Sequence, residues 1–271
     1  MKFGNAAWGF RETPLETQLK ITNEMGLKVL ELGIANAPND IPISADDGEL
    51  EAVKALYEKY GVELCCAATG NDFTNGDKND VPKVKRVIDI CAKLGVKYLR
   101  IFAGFSPIAD VVGDRWDNMI KCLEETAQYA EEKGVYPVIE THGGVNGFDD
   151  GVEHIMSTTT DLDSLKKIIA AIPDNARICY DPANLYAVGI KNPEEFYSEI
   201  KDKTAYAHFK DFVPVASGHI LPSFCGASHM DWNAILNAMN GFNGPVLFEY
   251  ENVEDIQQGL EKSYKFISER I

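Results

Sequence analysis

The sequence lacks the features that mark several large classes of protein. Its apolar runs fall short of the roughly 20 residues that a membrane-spanning helix needs. The first segment, MKFGNAAWGF, does not have the charged-then-apolar layout of a secretory signal. None of the six cysteines forms a CxxC pair, which in a chain of 271 residues favours reduced thiols over a disulfide framework. These absences predict a cytoplasmic protein with no membrane partner.

Positive charge is also scarce. The 26 lysine and arginine residues are outnumbered by 42 aspartate and glutamate residues, and the net charge is −16. Basic residues are scattered among acidic ones, so a phosphate backbone would be repelled and nucleic acid is not an expected partner. The turn after the first predicted strand, Trp8-Gly9-Phe10-Arg11, has neither the GxGxxG nor the GxxxxGK[ST] pattern of a nucleotide-binding loop.

What the chain does have is a regular alternation of short β-rich runs and longer segments with helical spacing. The predicted strands are Phe3–Trp8, Val29–Leu32, Val62–Ala67, Tyr98–Phe102, Tyr136–Glu140, Arg177–Tyr180, Ala205–Phe209 and Val246–Glu249. Parallel neighbours in a sheet need helical crossovers, and eight parallel strands close a barrel. The pattern therefore predicts an α/β protein, a (β/α)8 TIM barrel, with residues 1–271 as a single domain. An open doubly wound sheet is the alternative, but its nucleotide-binding turn is missing.

Local signals indicate where helices begin and end. Thr13-Pro14-Leu15-Glu16 has the pattern of a capping box with proline at the first helical position, and Asn192-Pro193-Glu194-Glu195 repeats it. Glycines 26, 61, 95 and 134 stand where a left-handed residue would end a helix before a strand. The longest irregular segment is Val213–Met230, which is predicted to cover the active site and to carry an exposed Cys225.

Polar residues end four successive predicted strands. Strands five to eight finish with Glu140, Asp181, His208 and Glu249. In a barrel of this type the active site lies at the carboxyl ends of the strands, so these side chains should converge. Each one alone is explained equally well as a helix cap or the partner of a lysine, but four in register are not. Together the carboxylates would repel one another without a cation. Oxygen ligands with one imidazole suit Mn²⁺ best, with Mg²⁺, Co²⁺ and Zn²⁺ as alternatives.

These residues and their neighbours resemble the xylose isomerase-like barrel superfamily, in particular the sugar (or sugar-phosphate) isomerases and epimerases that include ketose 3-epimerases. The resemblance spans the chain in strand order and is densest in IETHGG, CYDPANL, AHFKD, the DW before a helix, and PVLFEYE. It implies a metal-dependent isomerase or epimerase that abstracts a proton next to a carbonyl through a metal-bound enediolate. Glu140 and Glu249 match the two glutamates that serve such epimerases as acid and base on opposite faces of the sugar. Asp181 and His208 would then be metal ligands only.

The predicted substrate contacts are His142, Asn184, Lys210 and Trp8. His142 follows Glu140 by two residues, so strand alternation directs it to the same face. Many relatives have a histidine where this chain has Asn184, which implies a different contact or a different sugar. Lys210 either reaches the substrate or pairs with Asp211, and Trp8 either walls the sugar or packs in the core.

Other polar and aromatic residues are expected to have supporting roles or none in the reaction. Phe10 shares the two interpretations of Trp8, and Glu31 is expected to support the site from behind the ligands. His154, His219 and His229 are interpreted as surface histidines in loops. Where many relatives have a GEG-type turn before DW, this chain has Phe224-Cys225-Gly226-Ala227-Ser228. The sequence therefore does not determine whether this loop covers the substrate.

Three other functions share this barrel or this site. A DNA-repair endonuclease of the endonuclease IV type needs ligands at the ends of strands three and four, where this chain has Ala67-Ala68-Thr69 and Phe102-Ala103-Gly104. A metal-dependent dehydratase of the inosose or dehydroshikimate type is the main alternative, and its product would have new ultraviolet absorbance. A sugar-binding barrel without catalysis is disfavoured by the two intact glutamates. The sequence leaves open the sugar and the formation of a homo-oligomer. Since Lys210 is the one nearby basic residue, an unphosphorylated sugar is favoured over a sugar phosphate.

Overall fold

Parallel strands surround the centre of the computed structural model, which describes residues 1–76 and 79–271. In that part of the chain the barrel strands are Lys2–Asn5, Val29–Leu30 with Leu32–Gly33, Cys66–Ala68, Tyr98–Ile101, Tyr136–Glu140, Arg177–Tyr180, Thr204–Phe209 and Pro245–Phe248. Their order in the sheet follows the chain, and the last strand pairs with the first. The second strand is divided at Glu31, and its two halves pair with the first and the third strands, so the sheet closes on itself. The predicted TIM barrel is confirmed.

Helices follow the strands and pack around them. Within the described residues the α-helices are Leu15–Glu24, Asp47–Tyr60, Val81–Leu94, Asp114–Glu132, Leu162–Ala171, Pro182–Ala187, Pro193–Ile200, Trp232–Ala238 and Ile256–Ser268. The 3-10 turns are Trp8–Phe10, Ile108–Asp110, Lys201–Lys203 and Val253–Asp255. Apolar stripes at three- and four-residue spacing bury one side of each long helix, as Val84, Val87 and Cys91 show. None of the helices in the described ranges has the length and apolarity that a membrane crossing demands.

The predicted helix ends are confirmed more fully than the predicted helix starts. Glycines 26, 61, 95 and 134 have φ angles of 72°, 61°, 75° and 70°, the left-handed conformation in which glycine avoids a Cβ clash. The predicted capping box at Thr13 is wrong, because the helix begins at Leu15 and Pro14 occupies the N-cap position. A true capping box lies instead at Asp46, whose carboxylate accepts from the Glu49 amide while the Glu49 side chain accepts from the Asp46 amide.

A second sheet stands over the carboxyl-terminal mouth of the barrel. It is antiparallel and consists of Gly144–Phe148, Gly151–Ile155, Asp211–Pro214 and Ile220–Ser223. We call these four strands the cap sheet. It continues directly from the ends of the fifth and seventh barrel strands, which places it above the polar residues that end the barrel strands. The prediction of an irregular segment over Val213–Met230 is therefore wrong where the strands Asp211–Pro214 and Ile220–Ser223 lie, since Ile220 pairs with Val152 from a distant hairpin that no local pattern reveals. The rest of the segment is irregular, as predicted.

The expected exposure of Cys225 is also wrong. The side chain is buried, and its backbone amide donates a hydrogen bond to the Ser263 hydroxyl on the last helix. The next residue, Gly226, lies so close to the Phe266 ring that a Cβ there would clash with it. This segment is therefore folded against the last helix rather than open to solvent. All six cysteines are free thiols, as predicted.

Candidate metal centre and active site

The four strand-end residues meet at the mouth of the barrel. Glu140 is the last residue of its strand, His208 is the penultimate residue of its strand, and Asp181 and Glu249 directly follow theirs. One ligand atom from each residue lies within 4.8 Å of the others. The Nδ1 atom of His208 is 3.6 Å from a Glu140 oxygen and 3.7 Å from a Glu249 oxygen. The structure thus brings together all four residues that the strand ends predicted.

Two of these ligand atoms have no hydrogen-bond partner in the described part of the chain. They are the Nδ1 atom of His208 and the Oδ2 atom of Asp181, and both are buried. The Asp181 atom lies 3.4 Å from Lys210 Nζ, an ion pair without the geometry of a hydrogen bond. A buried polar atom without a partner costs about 1–3 kcal/mol, so native proteins rarely leave one unmatched. Ligand bonds of about 2.1 Å place opposite ligands roughly 4.2 Å apart, so this cluster needs only a small contraction around an ion. The donor set therefore fits a divalent cation.

Glu31 fixes the orientation of the His208 ring. Its Oε1 atom lies 3.3 Å from His208 Nε2 and accepts a 2.8 Å hydrogen bond from the Tyr206 hydroxyl. Its other oxygen accepts from the Ala7 amide at 3.1 Å. With Nε2 directed to Glu31, the Nδ1 atom faces the ligand cluster, which is the arrangement by which carboxylates orient metal-binding imidazoles. The structure places Glu31 behind the ligands, where the sequence predicted it.

Asn184 supports two ligands from the start of the helix Pro182–Ala187. Its backbone amide donates to Asp181 Oδ1 at 3.0 Å, and its side-chain Nδ2 donates to Glu140 Oε1 at 3.1 Å. Asp181 caps this helix, and its own amide donates to the Thr141 hydroxyl at 2.8 Å. Asn184 is fully buried and is not one of the residues that line the pocket above the ligands. These contacts point to the orientation of Glu140 and Asp181 as its task.

Arg100 is a central residue of the site that the sequence analysis did not single out. Its Nε atom lies 3.2 Å from Glu140 Oε2, and its Nη1 atom donates to the Thr69 carbonyl at 3.0 Å. Burial alone would raise the pKa of Glu140, but the neighbouring His208 ring and the charge of Arg100 hold that pKa well below its ordinary range. An arginine within the apolar run YLRI was the signal, because a buried charge in a strand needs a partner.

Lys210 is buried among carboxylates. Its Nζ atom lies 2.6 Å from Glu249 Oε2, 3.0 Å from Glu251 Oε1 and 3.4 Å from Asp181 Oδ2. The alternative in which Lys210 pairs with Asp211 is wrong. Burial raises the pKa of Asp181 to about 7, although the charge of Lys210 opposes the increase. Glu251, which the sequence analysis passed over, is thus part of the site.

Asp211 has a separate structural task. Its Oδ2 atom accepts hydrogen bonds from the Gly226 amide at 3.0 Å, the Ser228 amide at 3.3 Å and the Trp232 indole at 3.2 Å. These contacts tie the segment before the helix Trp232–Ala238 to the end of the seventh strand. This anchoring explains why Asp211 has no oxygen directed at Lys210.

A pocket of about 440 Å³ opens above the ligand cluster. It is lined by Trp8, Asn36, Gly70, Arg100, Phe102, Phe105, Glu140, His142, Val145, Val152, His154, Lys210, Phe212, Pro222, Glu249 and Glu251. Of the four ligands, only Glu140 and Glu249 reach its surface. Trp8, His142 and Lys210 also line it, whereas Phe10 is buried in the core. The pocket has a polar floor from the barrel and largely apolar walls, to which the cap sheet contributes.

Two histidines face this pocket. The Nδ1 atom of His142 lies 2.5 Å from the Gly143 carbonyl oxygen. A carbonyl only accepts, so Nδ1 carries the hydrogen and Nε2 is left as an acceptor when the ring is neutral. His154 was interpreted as a surface histidine, and this is wrong because it lies on a strand of the cap sheet and lines the pocket. His219 contacts Asp150 at 2.6 Å, and His229 is exposed as expected.

Comparisons with known proteins agree with this architecture. The family model of the xylose isomerase-like TIM barrel matches residues 19–270. A comparison with curated protein sequences finds no match. Among solved structures, the probable 3-DHS dehydratase AsbF from Bacillus anthracis has a TM-score of 0.80 at 14% identity, with 100% of both chains covered.

Two other solved structures are similar at comparable identity. The D-allulose 3-epimerase from Methylomonas sp. has a TM-score of 0.75 at 15% identity, with 100% of this chain and 98% of that chain covered. A xylose isomerase domain protein from Planctomyces limnophilus has a TM-score of 0.73 at 17% identity, with 93% of this chain and 90% of that chain covered. At these identities the likeness shows the fold and does not decide the reaction.

Proposed function

Because the chain belongs to the xylose isomerase-like TIM barrel family, we propose that it is a metal-dependent sugar isomerase or epimerase. It would act by proton abstraction next to a carbonyl. One observation carries the proposal: four ligand atoms lie within 4.8 Å of one another, and only Glu140 and Glu249 among those residues also line the pocket. These two glutamates can therefore touch a substrate, while Asp181 and His208 are enclosed beneath it.

The residues of the chain divide the work by position. A divalent ion, with Mn²⁺ as the first candidate, would polarise the substrate carbonyl and make the adjacent C–H more acidic. Arg100 lies 3.2 Å from Glu140 and so holds this carboxylate in position at the pocket surface. Glu249 projects from the eighth strand, three strands away from Glu140 around the barrel. Two bases at separate positions are what inversion requires, because a single base tends to return the proton to the face it left.

Other pocket residues would bind and orient the sugar. The acceptor nitrogen of His142 suits a substrate hydroxyl, and the Trp8 ring offers an apolar wall to a face of the sugar. Lys210 holds Glu249 at 2.6 Å and lines the same pocket, so it is placed to contact a substrate oxygen as well. Asn184 would act through Glu140 and Asp181 rather than on the substrate.

A screen of ketoses, aldoses and their phosphates tests this proposal. The protein with added Mn²⁺ is incubated with each sugar in D₂O, and both mass and stereochemistry are followed. We expect one product that is a stereoisomer or a positional isomer of its substrate. Its only mass change should be deuterium at the carbon that exchanged a proton with Glu140 or Glu249. Failure of every sugar to exchange, with the site loaded with metal, would refute the isomerase proposal.

A dehydratase is the second candidate, and the position of Lys210 favours it. Elimination of water needs an acid for the departing hydroxyl besides a base for the C–H. The ammonium group of Lys210 lies in the pocket, 2.6 Å from one glutamate and 3.0 Å from another, so a proton donor stands beside the base. The same screen separates the reactions, because dehydration yields a product lighter by one water with new ultraviolet absorbance, whereas isomerisation conserves the composition.

A further inference from the structure

His154 has a ring nitrogen to which no protein group in the described ranges forms a hydrogen bond. It lines the pocket from the cap sheet, and its Nδ1 atom is buried with no hydrogen-bond partner in the described ranges. The ring packs edge-on against Phe212, with centroids 4.8 Å apart, so this contact helps to fix its position. Burial lowers the pKa of His154 to about 3, so the ring is neutral. A neutral imidazole has one donor and one acceptor, and both suit a hydroxyl.

The surroundings of His154 are polar on the side of the pocket. The His142 ring is 6.1 Å away between centroids, and its Nε2 atom is an acceptor. Lys210 and Glu251 line the same pocket and are joined by a 3.0 Å ion pair. Two imidazole rings and a compensated ion pair therefore lie together above the candidate metal ligands.

This part of the pocket offers no surplus positive charge. Among the lining residues in the described ranges, the lysine and arginine side chains are Arg100 and Lys210, and both already contact carboxylates. Arg100, Lys210 and a divalent ion would together give the site four positive charges. The carboxylates number five, namely Glu31, Glu140, Asp181, Glu249 and Glu251. A phosphate or a carboxylate on the substrate would add to this excess of negative charge, with no unpaired cation to receive it.

We propose that His154 is a specificity-determining residue of this site, and that with His142 it binds hydroxyl groups of an uncharged, polyhydroxylated substrate. The choice of a sugar as the ligand rests on the proposed function. The contact of His154 with the hydroxyl groups is separate from it, because His154 lies on the cap sheet and not on a barrel strand. The sugar would place its reactive carbonyl at the barrel floor and extend its remaining hydroxyl groups towards His154. Sugar phosphates and sugar acids would be disfavoured.

Binding of inert polyols tests this inference without turnover. The probes are D-mannitol and D-mannitol 1-phosphate, which have no carbonyl, and the Mg²⁺-loaded protein is titrated with each by calorimetry. We expect mannitol to bind at least tenfold more tightly than its phosphate. His154→Phe keeps the ring packing on Phe212 and removes both nitrogens, so it should weaken mannitol binding about five- to tenfold. His229→Phe, at an exposed histidine, is the matched control and should bind as the wild type does.

A second measurement keeps the test decisive if His154→Phe folds poorly. In the wild-type protein with Mg²⁺, saturation with mannitol should shift the ring signals of His154 in a histidine-labelled NMR spectrum and leave those of His229 unchanged. The inference is overturned if mannitol does not bind, if the phosphate binds as well or better, or if His154 does not respond. If no sugar of the screen is turned over but these binding results hold, the proposed isomerase reaction fails and the hydroxyl contact stands.

Discussion

The floor and the cover of the pocket are built by different means. The floor consists of side chains at the ends of adjacent barrel strands, and its ligands are between 0% and 3% exposed. The cap sheet is a small antiparallel sheet whose residues Val145, Phe148 and Leu221 are each more than 40% exposed. Buried groups with many partners cannot change singly without cost, whereas an exposed hairpin can. We therefore expect chemistry to depend on the floor and substrate choice to depend on the cap sheet.

The largest expected effect is on the floor. Glu140→Gln and Glu249→Gln should each lower kcat at least a thousandfold, because each removes a metal ligand and an acid or base together. The measurement is turnover of the substrate found in the sugar screen. Glu153→Gln makes the same chemical change at an exposed position of the cap sheet and should leave kcat unchanged. Full activity in either floor variant would defeat the two-base mechanism.

The support behind the floor should matter next. Glu31→Gln weakens the hold on His208 Nε2 and should reduce metal affinity about 10- to 100-fold. Tyr206→Phe removes only the hydroxyl that donates to Glu31, so its effect should be smaller. Calorimetric titration with Mn²⁺ measures both. Wild-type affinity in Glu31→Gln would show that the carboxylate does not orient the imidazole.

Removal of the metal from the floor of the pocket should lower the melting temperature of the protein. An ion at a hundred times its Kd contributes about 2.7 kcal/mol to the free energy of unfolding, which corresponds to roughly 5–10 °C in Tm for a chain of this size. We expect that loss when a chelator is added to the Mn²⁺-loaded protein. Asp181→Ala lacks a ligand and should melt at nearly the same temperature with and without Mn²⁺. An equal metal response in wild type and variant would place the ion elsewhere.

The smallest effect is expected on the cap sheet. Phe212→Leu reduces a pocket wall that packs on His154, so it should raise KM severalfold with little change in kcat or metal affinity. Leu221→Ala, at an exposed position on the neighbouring strand, is the matched control. Steady-state kinetics separates kcat from KM. A large decrease in kcat for Phe212→Leu would contradict the expectation that catalysis depends on the floor and substrate choice on the cap sheet.

The sequence by itself determined the barrel and the set of candidate metal ligands. Alternating strand and helix signals repeat eight times, and each signal is local, so the order of the signals along the chain is enough to predict the barrel. Strand ends in a parallel barrel meet at one mouth whatever the details of packing. For this reason the residue pattern alone identifies Glu140, Asp181, His208 and Glu249 as one set and puts Glu31 behind them.

Only the tertiary structure decided which residues hold those ligands and what covers them. Arg100 reaches Glu140 from the neighbouring strand, and Glu31 reaches His208 from 177 residues away along the chain. The cap sheet joins two segments that local patterns showed as loops, and it carries His154 into the pocket. Such contacts depend on side-chain direction and long-range pairing, which neither composition nor periodicity records.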